Sequence, residues 1–288
     1  MKKWPFIGIF LMGLLLPQAA ILAQPVITIP AFARDHTQEA VSINWTEYVI
    51  RVAGRGEVRR PDGFHHAPYH AMAKAHQQAY RLLLQTGKSV QLTPTRTVGD
   101  FLGTDTALLA AFENLLKNAE VVQTEFLSTG AVEIGLQASL TGEFAALVLP
   151  EAVTNLEEIE SERGAGEADA SQYTGLVVDA RGLAIEPAMC FQLVDENGKE
   201  VYGPAYASRE NVVAAGMCRY VSDISDTENH SRVGENPMMV KGIRVYPPGG
   251  SDIVISDTDA SRLRGSVEHL VFLKHCRVIV VMDRAGRK

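Results

Sequence analysis

From Glu47 to Gly56 the chain reads EYVIRVAGRG, in which Tyr48, Ile50 and Val52 alternate with Val49, Arg51 and Ala53. A period of two predicts a strand, and the more polar of its two faces predicts a sheet covered mainly on one side. After a turn at Pro61-Asp62-Gly63 the period changes. Between Pro68 and Gln85, Ala71, Ala75 and Ala79 recur every four residues with Met72 and Leu82 beside them. That spacing predicts a helix whose stripe of small residues lets it come close to a sheet, with Pro68 in the first turn where its missing N–H costs nothing. A short strand over Ser89 to Leu92 is expected next. A second helix, capped by Thr104 or Asp105 and ending at Asn118, places Leu108, Leu109, Phe112, Leu115 and Leu116 on one face. Val122, Thr124 and Phe126 then alternate up to the turn Ser128-Thr129-Gly130. Beyond it Val132, Ile134, Leu136 and Leu140 alternate with Glu133, Gln137 and Ser139, which predicts a hairpin with one buried face. Residues 47–150 thus read as a β-α-β-α-β-β unit, two helices covering one face of a small sheet.

The pattern breaks over residues 151–171, EAVTNLEEIESERGAGEADAS, where seven acidic residues, one arginine and a central Gly-Ala-Gly cannot bury a core. This stretch is expected to be an acidic linker. A second unit over residues 172–283 follows. It opens with the apolar strand TGLVVD from Thr174 to Asp179 and continues to a hairpin pairing Phe191–Val194 with Glu200–Tyr202 across Asn197-Gly198, a strong turn signal. Further strands are predicted at Met239–Tyr246, Asp252–Ile255 and Arg277–Met282, with a helix over Asp257–Val267 capped by Ser256 or Asp257. Asn211–Val221 fits helix or strand, the first half leaning to helix. The fold class is therefore α+β, a small domain with two helices on one sheet face followed by a sheet-rich α+β domain.

The ends of the chain alter the picture. Lys2 and Lys3 precede the apolar run Trp4–Leu16, and small residues follow at Ala19–Ala23. This is the layout of a secretory signal peptide, so residues 1–23 are expected to be removed and the protein exported to the periplasm or cell envelope. A retained N-terminal anchor is the alternative. The run is 13 residues, short of the roughly 18 that a spanning helix needs, and no transmembrane helix is expected in the mature chain. Residues 24–46 show little pattern and read as a loose leader, and residues 284–288 as a basic tail. Without Lys2 and Lys3 the chain carries 25 basic against 34 acidic residues, a formal charge of −9. That balance disfavours nucleic acid and anionic lipid as general partners, while leaving peripheral membrane association open. An oxidising compartment would allow one disulfide among Cys190, Cys218 and Cys276, with Cys190–Cys218 the favoured pair, although three buried small hydrophobes explain the apolar settings equally well.

Motifs of chemistry are weak throughout. His65, His66, His70 and His76 cluster, but Pro68 separates the first two from the helix and six residues separate the last two, so no metal site is expected. Asp252, Asp257 and Asp259 fit helix capping better than a calcium loop. Gly54 and Gly56 lack the third glycine of a dinucleotide turn and read as a bend or strand end. No GxSxG elbow occurs. Asp179 and Arg181, in VVDARG at the end of an apolar strand, are the candidate ligand or partner contacts, against the plainer reading of an exposed turn. No catalytic residue, cofactor or metal is assigned.

One resemblance adds to this. GRGEVRRPDG, AMAKAHQQAYRLLLQ and AEVVQTEFLSTGAVEIGLQASLTGEF resemble, over residues 47 to about 148, the Lpp-twenty type envelope lipoprotein family, itself similar to the N-terminal domain of flagellar assembly protein T. Members named as lipoproteins carry an acylated cysteine after the signal, which this sequence lacks. The resemblance implies a non-catalytic envelope role, as an accessory or assembly module for a surface structure such as a flagellum, with an envelope protein as partner. The competing expectations are an exported hydrolase or metal-dependent enzyme with its site at the domain junction, and a small-molecule sensor or carrier.

Overall fold

The computed structural model describes residues 41–57, 67–150, 153, 173–228 and 230–283, and in these the chain is α+β with two main sheets. The first half begins with β1 (Val41–Asn44), β2 (Val49–Gly56) and α1 (Ala67–Ser89). A two-stranded ladder follows, β3 (Gln91–Thr93) with β4 (Arg96–Thr97), then α2 (Val98–Leu102), α3 (Thr106–Lys117), β5 (Glu120–Phe126), β6 (Val132–Ser139) and α4 (Glu143–Val148). The first sheet is antiparallel in the order β1-β2-β6-β5. Asp105 caps α3, accepting from Ala107 N at 2.9 Å and Leu108 N at 3.1 Å.

The helix and the sheet meet through residues chosen for smallness. Ala71, Ala75, Ala79 and Leu83 of α1 are fully buried, and the strand beneath them carries Gly54 and Gly56. A Cβ at Gly54 would lie 2.2 Å from Ala79 N, and one at Gly56 would lie 1.9 Å from Ala71 O. The strand-end reading thus holds for Gly56, the last residue of β2, and the bend reading for neither glycine. They sit within β2, paired with Ile134 and Val132, where the absence of a side chain lets the helix backbone rest on the strand backbone.

Two expectations change here. The end of the stretch read as a loose leader, residues 24–46, is ordered: Val41–Asn44 pair with Val49–Val52, a strand too short for alternation to reveal, while residues 24–40 lie outside the described residues. The strand expected at Ser89–Leu92 appears as β3 but stays out of the first sheet, because Gln91 O and Leu92 O accept from Met189 N and Cys190 N in the second half. The signal region, the basic tail and, apart from Val153, the acidic stretch lie outside the described residues.

The second half builds a seven-stranded mixed sheet from β7 (Gly175–Asp179), β8 (Leu193–Val194), β9 (Glu200–Tyr202), β10 (Arg219–Val221), β11 (Pro237–Tyr246), β12 (Asp252–Ile255) and β13 (Val278–Val281). Their order is β10-β13-β7-β11-β12-β8-β9, with β10, β13, β7 and β11 mutually parallel. Every residue of β13 and all but the last of β7 are buried, as expected of parallel strands covered on both faces. The ambiguous segment resolves as α5 (Arg209–Ala215), a turn at Gly216 and then β10, so its first half is helical. The helix expected over Asp257–Val267 divides at Gly265-Ser266 into α6 (Asp257–Arg264) and α7 (Val267–Lys274), with Ser256 Oγ capping α6 through Asp259 N at 3.1 Å.

One hydrophobic core runs through both sheets, and a smaller cluster of Val177, Val221, Val233, Ile279 and Val281 fills the other face of the parallel strands. The described residues belong to one compact unit. At the seam between the sheets, carbonyls of the α5–β10 turn and that of Cys276 are each answered by a distant side chain. Arg232 donates to Ala215 O and Cys276 O at 2.8 Å and to Gly216 O at 2.5 Å, Tyr202 Oη to Met217 O at 2.6 Å, and Tyr48 Oη to Cys218 O at 2.8 Å. Tyr48 holds a left-handed backbone (φ 54°), a costly conformation for a bulky residue, and that places its ring against Gly216.

Candidate functional site

Ligands of open sheets with parallel strands gather at the strands' carboxyl ends, and that edge carries the residues singled out from the sequence. Asp179 ends β7, Asp223 follows β10 and Asp283 follows β13. The Arg181 guanidinium closes on Asp179 in a fork, Nε to Oδ1 at 2.8 Å and Nη2 to Oδ2 at 2.7 Å. That hydrogen bonding holds the Asp179 carboxyl below its ordinary range and raises Arg181. Asp283 accepts from Gly182 N at 2.7 Å and Asp223 caps the following 3-10 turn through Ser225 N at 3.0 Å. Asp223 thus serves its own turn and Asp283 the turn that follows β7, while Asp179 and Arg181 are brought together and closed on each other.

A second polar cluster escaped the sequence reading because its members come from separate strands. Gln192 donates its backbone N–H to Asp252 Oδ1 at 2.7 Å and its amide to Glu200 Oε2 at 3.3 Å. Burial pushes Asp252 up to about 6 and raises Glu200 as well. The Glu200 carboxylate lies over Gly203, where a side chain would collide with it. Asp252 thus stands apart from Asp257 and Asp259. Asp257 instead accepts from Glu196 N and Asn197 Nδ2, both at 3.1 Å, and so ties the β8–β9 turn to α6.

His70 and His76 are exposed on α1, His65 and His66 lie outside the described residues, and no metal-binding group of three or more His, Cys, Asp or Glu side chains occurs among the described residues. Cys190, Cys218 and Cys276 are free and buried. Burial raises all three, Cys190 and Cys218 to about 12. The pair Cys190–Cys218 is not joined. The seam around Cys218 is filled by Tyr48, Tyr202, Tyr220 and Phe191, all buried. Burial drives the three phenols well above their ordinary range.

Open surface exists elsewhere, on the first sheet. Among the described residues β5 is an edge strand, paired with β6 on one side, and it leaves Val121 50% and Phe126 67% exposed. Where β5 begins, a groove of roughly 350 Å³ opens between the end of α3, the end of β6 and the start of α4. Its lining is mixed, with half-buried Leu115, Ala119 and Ala138 beside Asn118, Gln137, Ser139 and Thr141, while Glu120 and Glu143 stand exposed at its margin. Behind it Arg51 donates to Gln137 at 2.7 Å and pairs with Glu47. No signal in the sequence announced this groove, since its walls come from three elements separated by up to 29 positions (Leu115 to Phe144).

Fold and surface together define an α+β protein with an open sheet edge and a shallow groove. Residues 175–284, which include every strand of the seven-stranded sheet, match the family model described as Treponema pallidum Tp0624, second domain. No curated protein matches the chain.

Proposed function

We propose that the protein is an exported, non-catalytic module of the periplasm or outer envelope that holds a partner protein in a surface assembly, a flagellum-related structure among the candidates. The observation that carries this reading is the free edge of β5, seven residues long with Val121 and Phe126 open to solvent. Such an edge can accept an extended segment of another chain by main-chain hydrogen bonding. Two other features support it. The leader has the composition of an export signal, and Asp179, Arg181, Asp223 and Asp283 at the carboxyl edge of the parallel strands are engaged with one another or with nearby backbone.

A photo-crosslinking amino acid at position 126, introduced into the full chain in its own cells, tests the proposal. The expected result is a discrete adduct with one envelope protein, formed by a chain shortened at its N-terminus. An intact Met1 end in the cytosolic fraction, or a cleaved chain with no adduct at position 126 or 121, overturns it.

A further inference from the structure

We infer that the segment taken up by β5 is an antiparallel strand that sets a basic residue opposite Glu125 and an apolar one opposite Phe126. This rests on the partner-binding reading above and gives the partner its chemistry. Leu127 N donates to Ala131 O at 2.9 Å and closes the β5–β6 hairpin. In an antiparallel ladder every second residue bonds to the same neighbour. Glu125 therefore bonds to β6, whereas Thr124 and Phe126 turn their N–H and C=O groups to the open edge. A strand added there continues the antiparallel pairing of this sheet and exchanges hydrogen bonds with those two residues. It meets Glu125 at the position between them, where facing side chains come closest. The charges on that row select a cation. Glu125 stands directly opposite Glu133 of β6, a like-charge pair that destabilises a sheet. Arg55 lies on the same row beyond Glu133, on β2, and pairs with Glu57 at 2.7 Å. Arg51 belongs to another row, with Gln137 and Glu120. Glu125 is exposed and accepts from a neutral donor, Gln123 Nε2, at 2.8 Å. A basic side chain arriving from the open side thus ends a row of two adjacent carboxylates with opposite charge. On the other face Phe126 continues the line of buried Val132 and is itself 67% exposed, an apolar surface for the new strand to cover.

Capped heptapeptides in which valine alternates with threonine, the central threonine kept or replaced by lysine or glutamate, separate charge from strand pairing. They are titrated into the full-length protein and followed by amide chemical shifts. The lysine peptide should bind tightest, about two- to fivefold better than the threonine peptide, with shifts at Thr124, Glu125 and Phe126. E125K should reverse the order in favour of glutamate. E228K changes the net charge equally but in the seven-stranded half, and should keep the order of the parent. Equal binding of the three peptides, an order unchanged in E125K or reversed in E228K, shifts confined to other surfaces, or no binding at millimolar peptide would each overturn the inference. So would shifts at Thr124 and Phe126 when the parent alone is diluted, the mark of a second copy seated on the edge. An adduct at position 126 with another envelope protein, alongside any of those results, would leave the partner reading intact and remove only the basic strand.

Discussion

Replacing Gly54 with alanine should be among the most damaging single-atom additions in the molecule. The new Cβ would stand 2.2 Å from Ala79 N, 2.4 Å from Ala75 O and 2.8 Å from Ala79 Cα. Carbon contacts settle near 3.5 Å or more, so α1 has to withdraw from β2 by over about 1 Å. No rotamer relieves the clash, because every opposing atom is main chain. A gap of that size forfeits about a quarter to a half of each dispersion well along the stripe from Ala71 to Leu83, where all four buried side chains are fully enclosed. Overpacking of this kind costs about 1–3 kcal/mol, and the backbone origin puts Gly54→Ala at about 3 kcal/mol or beyond. With a urea slope of about 3 kcal/mol/M for a chain of this size, the midpoint should fall by about 1 M at unchanged slope, read by far-ultraviolet circular dichroism. Adding Ala75→Gly should restore nothing and should weaken the helix by about a further 1 kcal/mol, since the clash is with the carbonyl and not the methyl group. A midpoint for Gly54→Ala within a few tenths molar of the parent would refute the close-contact account.

Asp252→Asn keeps the acceptor for Gln192 N but removes a charge that burial disfavours. The folded carboxyl, near 6, binds its proton more tightly than the unfolded one, so ionisation costs stability above that value and the cost fades as pH falls towards about 4. The variant should be more stable than the parent by about 1 kcal/mol at neutral pH, discounted for the group's partial solvent contact, and equal to it in acid. Urea titrations at the two pH values check this, and a variant weaker than the parent at neutral pH would contradict it. Arg232→Met removes three charge-assisted bonds to Ala215, Gly216 and Cys276 carbonyls and should cost about 3 kcal/mol or more, seen as a lowered urea midpoint. Iodoacetamide should label none of the three thiols in the native protein and all three after denaturation, counted by mass spectrometry, because burial lifts Cys190 and Cys218 to about 12.

Elements with strong local periodicity were legible, and those made by distant partners were not. Ala71, Ala75 and Ala79 announced both the helix and its close approach, and Asn197-Gly198 announced the β8–β9 hairpin, because each signal lies within a few residues. The glycines beneath the alanine stripe looked like a bend, since nothing in GRG says that a helix some 20 positions away will rest on it. β3 read correctly as a short strand, but besides β4 its main-chain partners are Met189 and Cys190, about a hundred residues away. The candidate surface was harder still. Asp179 and Arg181 were visible as a charged pair, whereas their closure into a fork is a matter of geometry. The groove arises only when the ends of α3 and β6 and the start of α4 converge, and Phe126 resembled an ordinary alternating position until β5 proved to be an edge.

The strand order has a consequence for how the chain is made. β13, with Val278 as its first residue, lies between β10, at one edge of the seven-stranded sheet, and β7. A polypeptide interrupted between position 255 and that residue has β10 and β7 but no strand to lie between them, and such open edges invite wrong pairing or digestion. The sheet therefore cannot close in the order in which its residues emerge. Synthesis must pass position 281 before β10 is joined to the rest of the sheet, so a product that stops just short of it exposes strand edges the whole chain covers.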